Sequence, residues 1–305
     1  MKDFVEKING RNYSIEEAKR VFIRYAVNHN AHISERAKNV IVKTYKNSLP
    51  KSSRAKANAN AEENRINMLK GESIVTFFHE FKHIADSWKD SKGIWHTNWE
   101  NECDYTAQMT WRDMHNNIIH IDRGITEEAM GEAVAELYAT KIYWELCGNS
   151  DKSIAKTGRR TTYDEEIITL KKIATVLGIN EDMIMAWSCE KNYGRNQLKS
   201  LFSKLTGDRD FWTKLEYRMD YVTMYKHIRF SHPQYNIDEE SLMNIERFRR
   251  DIKNMLRGCL LKVKQKEYLL SLGCTPGEFE GVYSRAITQF QELEKYEFFI
   301  TYNIK

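Results

Sequence analysis

At 305 residues, with 41% hydrophobic and 12% aromatic side chains, the chain can bury one large core or two packed lobes; its 3 prolines and 14 glycines exclude a fibrous or low-complexity polymer. The 47 basic and 43 acidic residues leave a formal charge of +4, too slight an excess to point to nucleic acid or an anionic membrane as partner. Five scattered cysteines (Cys103, Cys147, Cys189, Cys259 and Cys274) without a CxxC pair argue against a disulfide scaffold. With no leading apolar segment and no run near about 18 apolar residues, the expectation is reduced thiols and a cytoplasmic location, leaderless export staying open.

In chain order, residues 14–28 read as a helix, opened by Ser14 and Glu17 in capping-box spacing. Residues 33–47 continue in helical style, and 50–60 (PKSSRAKANAN) read as an exposed loop. Residues 64–69 alternate polar and apolar, which suits a short strand ended by Gly71. Over 72–89 the spacing predicts an amphipathic helix with an apolar stripe of Ile74, Phe77, Phe78, Phe81, Ile84, Ala85 and Trp88. Residues 90–116 give no clear period, and 117–122 suit a second short strand. A helix over 126–146 follows, with Thr126 as N-cap and Glu127 and Glu128 in its first turn. The polar stretch 148–162 marks a lobe boundary, placing one lobe over 1–148 and a second over 149–305. Beyond it, helices are expected over 163–177, 181–187, 195–205, 209–226, 239–269 and 276–296. The fold class is α+β and predominantly helical: a first lobe with a short sheet beside the helix of 72–89, then an all-helical lobe.

The chemistry gathers at His79-Glu80-Phe81-Lys82-His83. Residues four apart share a helix face, so His79 and His83 offer two imidazole nitrogens to one cation. Glu80, one step round, stands beside such a cation rather than on it, where a general base belongs. The bland alternative is a surface turn with two partly exposed histidines. A third ligand is not close in sequence, since Ile84, Ala85 and Asp86 follow His83 and position 89 is lysine. Glu128, Glu132 and Glu136 fall on one face of the next long helix. Stacked like charges repel, so either a cation compensates them or they form a solvated acidic stripe. The small Ala129, Ala133 and Ala135 beside them suit close helix packing.

His79-Glu80-Phe81-Lys82-His83, followed about fifty residues later by Gly131-Glu132 and Ala135-Glu136, resembles the gluzincin metallopeptidases, the thermolysin-like clan, nearest to the anthrax lethal factor-like branch. The resemblance spans roughly residues 60–146; none is apparent for the C-terminal half. It implies a zincin-like lobe holding one Zn2+ per chain on His79, His83 and Glu132. Glu136 then orients His79, and Glu128 lies near the site without binding metal. The implied activity is hydrolysis of a peptide or protein substrate, with Glu80 as general base and the substrate lying between the two lobes. An edge strand at 64–69 would set Asn64, Arg65 and Asn67 beside the substrate. Two features depart from the pattern. Lys82 occupies a position that is usually uncharged, and it is expected to reach solvent. The tyrosine that lethal factor-like enzymes carry shortly before the third ligand is absent from IIHIDRGITEEAMG, so Tyr163 is the candidate oxyanion donor, with His120 and Tyr138 as further candidates.

The rival reading is a catalytically silent protein that keeps such a scaffold as a binding surface; a third is a protease with one regulatory target. His29, His32, His96, His115, His120, His227 and His232 show no ligand spacing with one another, and Trp88, Trp95, Trp99 and Trp111 read as core. The basic run 247–266 is interleaved with Ile252, Met255, Leu256 and Leu260, as in an amphipathic helix with a solvated basic face.

Overall fold

The structure, a computed structural model, describes residues 4–8, 11–29, 31, 33–49, 57–99, 106–124, 129–148, 163–187 and 193–302. A hairpin of β1 (Phe4–Ile8) and β2 (Arg11–Ser14) runs directly into α1 (Ile15–Asn28). The Ser14 hydroxyl accepts the Glu17 N–H at 3.3 Å and the Glu17 carboxylate accepts the Ser14 N–H at 2.9 Å, which is the reciprocal box the sequence predicts. α1 turns Ala18, Phe22, Tyr25 and Ala26 into the core.

The helical continuation expected over 33–47 is confined to α2 (Glu35–Lys38); Ile41–Tyr45 is instead a strand, β3, as the β-branched Ile41, Val42 and Thr44 favour. The expected loop over 50–60 is corrected in the same way: Ala57–Asn60 form β4, and 50–56 lie outside the described residues. A turn through Asn64, in the left-handed conformation (φ 48) that asparagine tolerates, leads to β5 (Arg65–Leu69). β5 is parallel to β3 and antiparallel to β4, giving the order β3-β5-β4. The strand expected at 64–69 therefore exists but is central, and β4 is an edge.

Ile66 and Met68 of β5 are buried beneath α3 (Ile74–Asp86), which lies across β4 and β5. The Ser73 side chain caps α3 through the Thr76 N–H at 3.2 Å. The helix is shorter than the predicted 72–89, because Ser87–Lys89 form β6, paired with β7 (Trp95–Thr97). Trp88 thus leaves the helical stripe and stacks on His96 across the hairpin at 4.8 Å. The rest of the stripe is buried as predicted, with Phe81 and Phe22 ring centroids 4.4 Å apart.

Next come β8 (Thr106–Arg112) and β9 (Ile118–Gly124), an antiparallel pair, then α4 (Ala129–Leu146). Residues 125–128 lie outside the described set, so the predicted helix is seen from Ala129 onward. α5 (Asp164–Leu177), α6 (Glu181–Trp187), α7 (Tyr193–Thr206) and α8 (Phe211–Ser231) follow near their expected places. β10 (Asn236–Ile237) adds to β8. The single helix expected over 239–269 is two, α9 (Glu239–Cys259) and α10 (Lys262–Ser271), parted just after the helix-weakening Gly258. α11 (Pro276–Tyr302) ends the described chain.

The fold is α+β, mostly helical with small sheets. It divides into two compact units, each assembled from separated stretches rather than by one cut after 148. The first comprises Met1–Asn98, Gly131–Ile167 and Asp182–Gly194; the second comprises Trp99–Met130, Ile168–Glu181 and Arg195–Lys305. Within the second, Trp111 stacks on Tyr225 at 5.7 Å and Trp212 on Phe202 at 5.8 Å. Among the described residues no helix is long and apolar enough to cross a membrane, and Cys147, Cys259 and Cys274 are free thiols.

Candidate metal centre

All the side chains of the candidate centre belong to the first unit. Helical spacing on α3 sets the His79 and His83 ε nitrogens 3.1 Å apart. α4 brings Glu132 Oε2 to 3.1 Å from His79 Nε2 and 3.5 Å from His83 Nε2. A tetrahedral ion with ligand bonds of about 2.0–2.1 Å separates neighbouring ligand atoms by about 3.3 Å, so the three spacings match such an ion. His79, His83 and Glu132 are the one group of this kind among the described residues.

The donor chemistry agrees with the spacing. Glu136 Oε2 lies 2.9 Å from His79 Nδ1. A carboxylate only accepts, so Nδ1 carries a hydrogen, and whenever the ring is neutral Nε2 presents its lone pair toward Glu132 and His83. Glu132 Oε2 is itself buried and receives no well-directed hydrogen bond, so its close contacts act through charge. Lone pairs and a carboxylate oxygen converging at this range need a proton or a cation among them. Access is from the side on which His83 and Glu132 keep 24% and 19% of their side chains exposed. The acidic face of α4 is therefore not a solvated stripe. Glu136 is buried, as are the small Ala129, Ala133 and Ala135 of the same helix.

The charges respond to this crowding. At His79, burial opposes the charged ring, but Glu132, Glu136 and Glu80 outweigh it and hold the pKa well above the ordinary value. His83 is raised in the same way, burial again opposing and Glu132 prevailing. Burial would lift the Glu132 carboxyl, yet the charge of His83 and the contacts with both histidines draw it well below the usual range. At Glu80 burial wins, and its pKa is raised despite the two histidine charges and a backbone hydrogen bond from Ala59.

Tyr163 immediately precedes α5, and the structure brings it to the same place. Its ring stacks on His79 with centroids 5.5 Å apart and planes 13° from parallel, and its hydroxyl hydrogen-bonds Glu132. Burial, with Glu132 beside the hydroxyl, raises the phenol well above its usual pKa, so it is a protonated donor at neutral pH. Of the other candidates, Tyr138 is buried against Phe22 and Tyr25, His120 belongs to β9 in the second unit, and Glu128 lies outside the described residues.

Two expectations are corrected. Lys82 does not reach solvent. It is fully buried, with Nζ 2.6 Å from Asp86 Oδ1 and 5.0 Å from the centre of the Tyr138 ring. Three residues on from His79, it turns toward α4, where Asp86, one turn further along α3, neutralises it. Asn64, Arg65 and Asn67 are committed within the fold. The Asn64 amide donates to the Arg36 carbonyl at 2.8 Å, Arg65 pairs with Glu63, and buried Asn67 donates to Asn58 Oδ1 at 2.9 Å and accepts from the Tyr45 hydroxyl at 3.3 Å. The strand adjoining the site is β4, whose Ala59 N–H reaches Glu80. Its one signal in the sequence was the alternation Ala57-Asn58-Ala59-Asn60, in residues that seldom build strands. Comparison with protein-family models, with curated proteins and with solved structures finds no match to this chain.

Proposed function

We propose that this chain is a zinc-dependent metallopeptidase of gluzincin type, with a zincin-like catalytic unit. The observation that supports it most is the convergence of His79, His83 and Glu132 at tetrahedral spacing, with Glu136 behind His79 and Glu80 beside it. His79, His83 and Glu132 would hold the ion, which when bound supplies Lewis acidity and acidifies a coordinated water. Zinc is favoured by the nitrogen-rich set of two imidazoles and one carboxylate.

The residues divide the remaining work. Glu136 keeps His79 in the tautomer that presents Nε2. Glu80, raised in pKa, takes the proton of the attacking water and returns it to the leaving amine. Tyr163, a protonated phenol at the rim of the triad, donates to the oxygen on which charge develops. β4, an edge strand, is where an extended peptide would pair through its backbone.

The rival, a silent scaffold that binds a partner, draws on Tyr163, which covers a face of His79 and bonds Glu132. Two measurements separate the readings. Metal analysis of the peptidase gives about one zinc per chain, lost in His79→Ala and Glu132→Ala. Glu80→Gln keeps the zinc and loses about 10²–10⁴-fold in peptide cleavage. A parent protein that takes up zinc stoichiometrically but cleaves no member of a fluorogenic peptide library supports the scaffold instead.

A further inference from the structure

Among the described residues β4 pairs with β5 alone, which makes it an edge strand. In an antiparallel ladder alternate residues direct both backbone groups at the partner strand, and those between direct theirs away. The Ile41 N–H bond to the Asn64 carbonyl and the Lys70 N–H bond to the Tyr45 carbonyl turn the backbone groups of Ile66 and Met68 toward β3, so Arg65 and Asn67 face β4, their partners Asn60 and Asn58 hold the ladder, and Ala59 is of the outward class, with its N–H bonded to Glu80. α3, which carries Glu80, packs against this strand. His79 and His83 act on Glu80 through charge, which pulls without fixing a direction; the Ala59 N–H is directional.

We propose that the Ala59 backbone N–H is the positioning group for Glu80, locking the carboxylate of the general base to the edge of the sheet so that it meets the attacking water in one orientation. This rests on the reading of Glu80 as the base. An edge strand suits the task because its outward N–H is not needed by the ladder. The same logic restricts this edge: with the Ala59 N–H occupied, an incoming peptide pairs with the remaining outward groups, the Ala59 carbonyl and those of Ala57.

Proline supplies the test, since it removes an N–H and is tolerated where that N–H takes no part in the ladder. Ala59→Pro is expected to lower kcat by about 10- to 100-fold, the usual scale for a misplaced catalytic group, with KM and zinc content held. Ala59→Gly, which retains the N–H, is expected to recover at least about tenfold over Ala59→Pro. Independently of activity, the Ala59 amide of the full chain is expected to be protected from hydrogen exchange in the parent and to lose that protection in Glu80→Ala. Equal exchange in the two proteins overturns the proposal, including where Ala59→Pro fails to fold. An unchanged kcat in folded Ala59→Pro, with Glu80→Gln inert, overturns the positioning role alone. A Glu80→Gln enzyme as active as the parent overturns the general-base reading itself.

Discussion

Two buried polar clusters, one in each unit, differ in how completely their charges are answered. In the second unit Arg195 and Glu216, 1% and 3% exposed, meet through two bonds of 2.8 and 2.7 Å. Trp212 Nε1 adds a third donor to the same carboxylate at 3.2 Å. One cation faces one anion, and three donors meet the Glu216 carboxylate, so in charge the cluster is closed. In the first unit two histidines face three carboxyl groups, Glu80, Glu132 and Glu136, so the acidic groups outnumber the basic ones by one. The ε nitrogens and Glu132 Oε2 point at one another instead of at complementary donors. Burial is common to both; only the open cluster has room in its chemistry for a ligand. Lys82 and Asp86 show that the distinction is local, since a closed pair sits on the same helix as the open one.

Breaking each cluster should give opposite answers. The largest effect is expected in the closed one, where Glu216→Ala strands the Arg195 guanidinium and costs about 3–5 kcal/mol in urea unfolding. A loss below about 1 kcal/mol would mean that water reaches Arg195 and that the cluster is not closed at all. The open cluster should respond to metal and pH instead. With zinc free at about 100 times its Kd, the parent gains about 2.7 kcal/mol and Glu132→Ala gains nothing. In chelator the sign with pH follows from the directions above. His79 and His83 are raised, so their contribution is full below the ordinary value of 6.5 and fades as pH rises through the folded values. Raised Glu80 acts in the same sense. Glu132 is lowered, so its contribution is present above 4.5 and fades as pH falls below it. Urea midpoints in chelator should therefore decline from about pH 6.5 toward pH 9 and recover on adding zinc, because the cation replaces the protons. A profile that declines equally with and without zinc would remove the centre's special standing. The smallest effect belongs to exposed pairs: Lys262→Ala, which frees Glu280 at the surface, should change stability by no more than about 0.5 kcal/mol. A larger loss would show that exposed charges carry weight here and blur the contrast.

The centre was more legible than the sheet around it, for a physical reason. His79, His83, Glu132 and Glu136 lie at helical spacings that fix a shared face whatever the rest of the chain does. Nothing local in the sequence dictates the stacking of Tyr163 on His79. Lys82 was misplaced because the fate of a side chain at the margin of a helix face depends on its neighbours, here Tyr138 on α4. β4 escaped notice because alanine and asparagine have little strand propensity; its pairing comes from the turn at Asn64 and the register with β5. Where the sequence announces neither β3 nor β4, β5 reads as an edge and Asn64, Arg65 and Asn67 as substrate contacts, whereas two flanking strands make it central. Short strands declare themselves through partners distant in sequence, whereas the helices beyond 163 carried their own period and were found close to their places.

That β4 is an edge strand among the described residues also bears on how the protein survives at high concentration. A strand with unpaired backbone groups is a template for any extended chain, another copy of itself included. β4 is only four residues long, and its Ala-Asn-Ala-Asn composition carries no β-branched or aromatic side chain to zip two copies together. Lengthening it, or replacing Asn58 and Asn60 with valine, would turn a peptide-sized docking edge into a seed for fibrous self-association. The poor strand-forming character that hid β4 in the sequence thus also guards against aggregation.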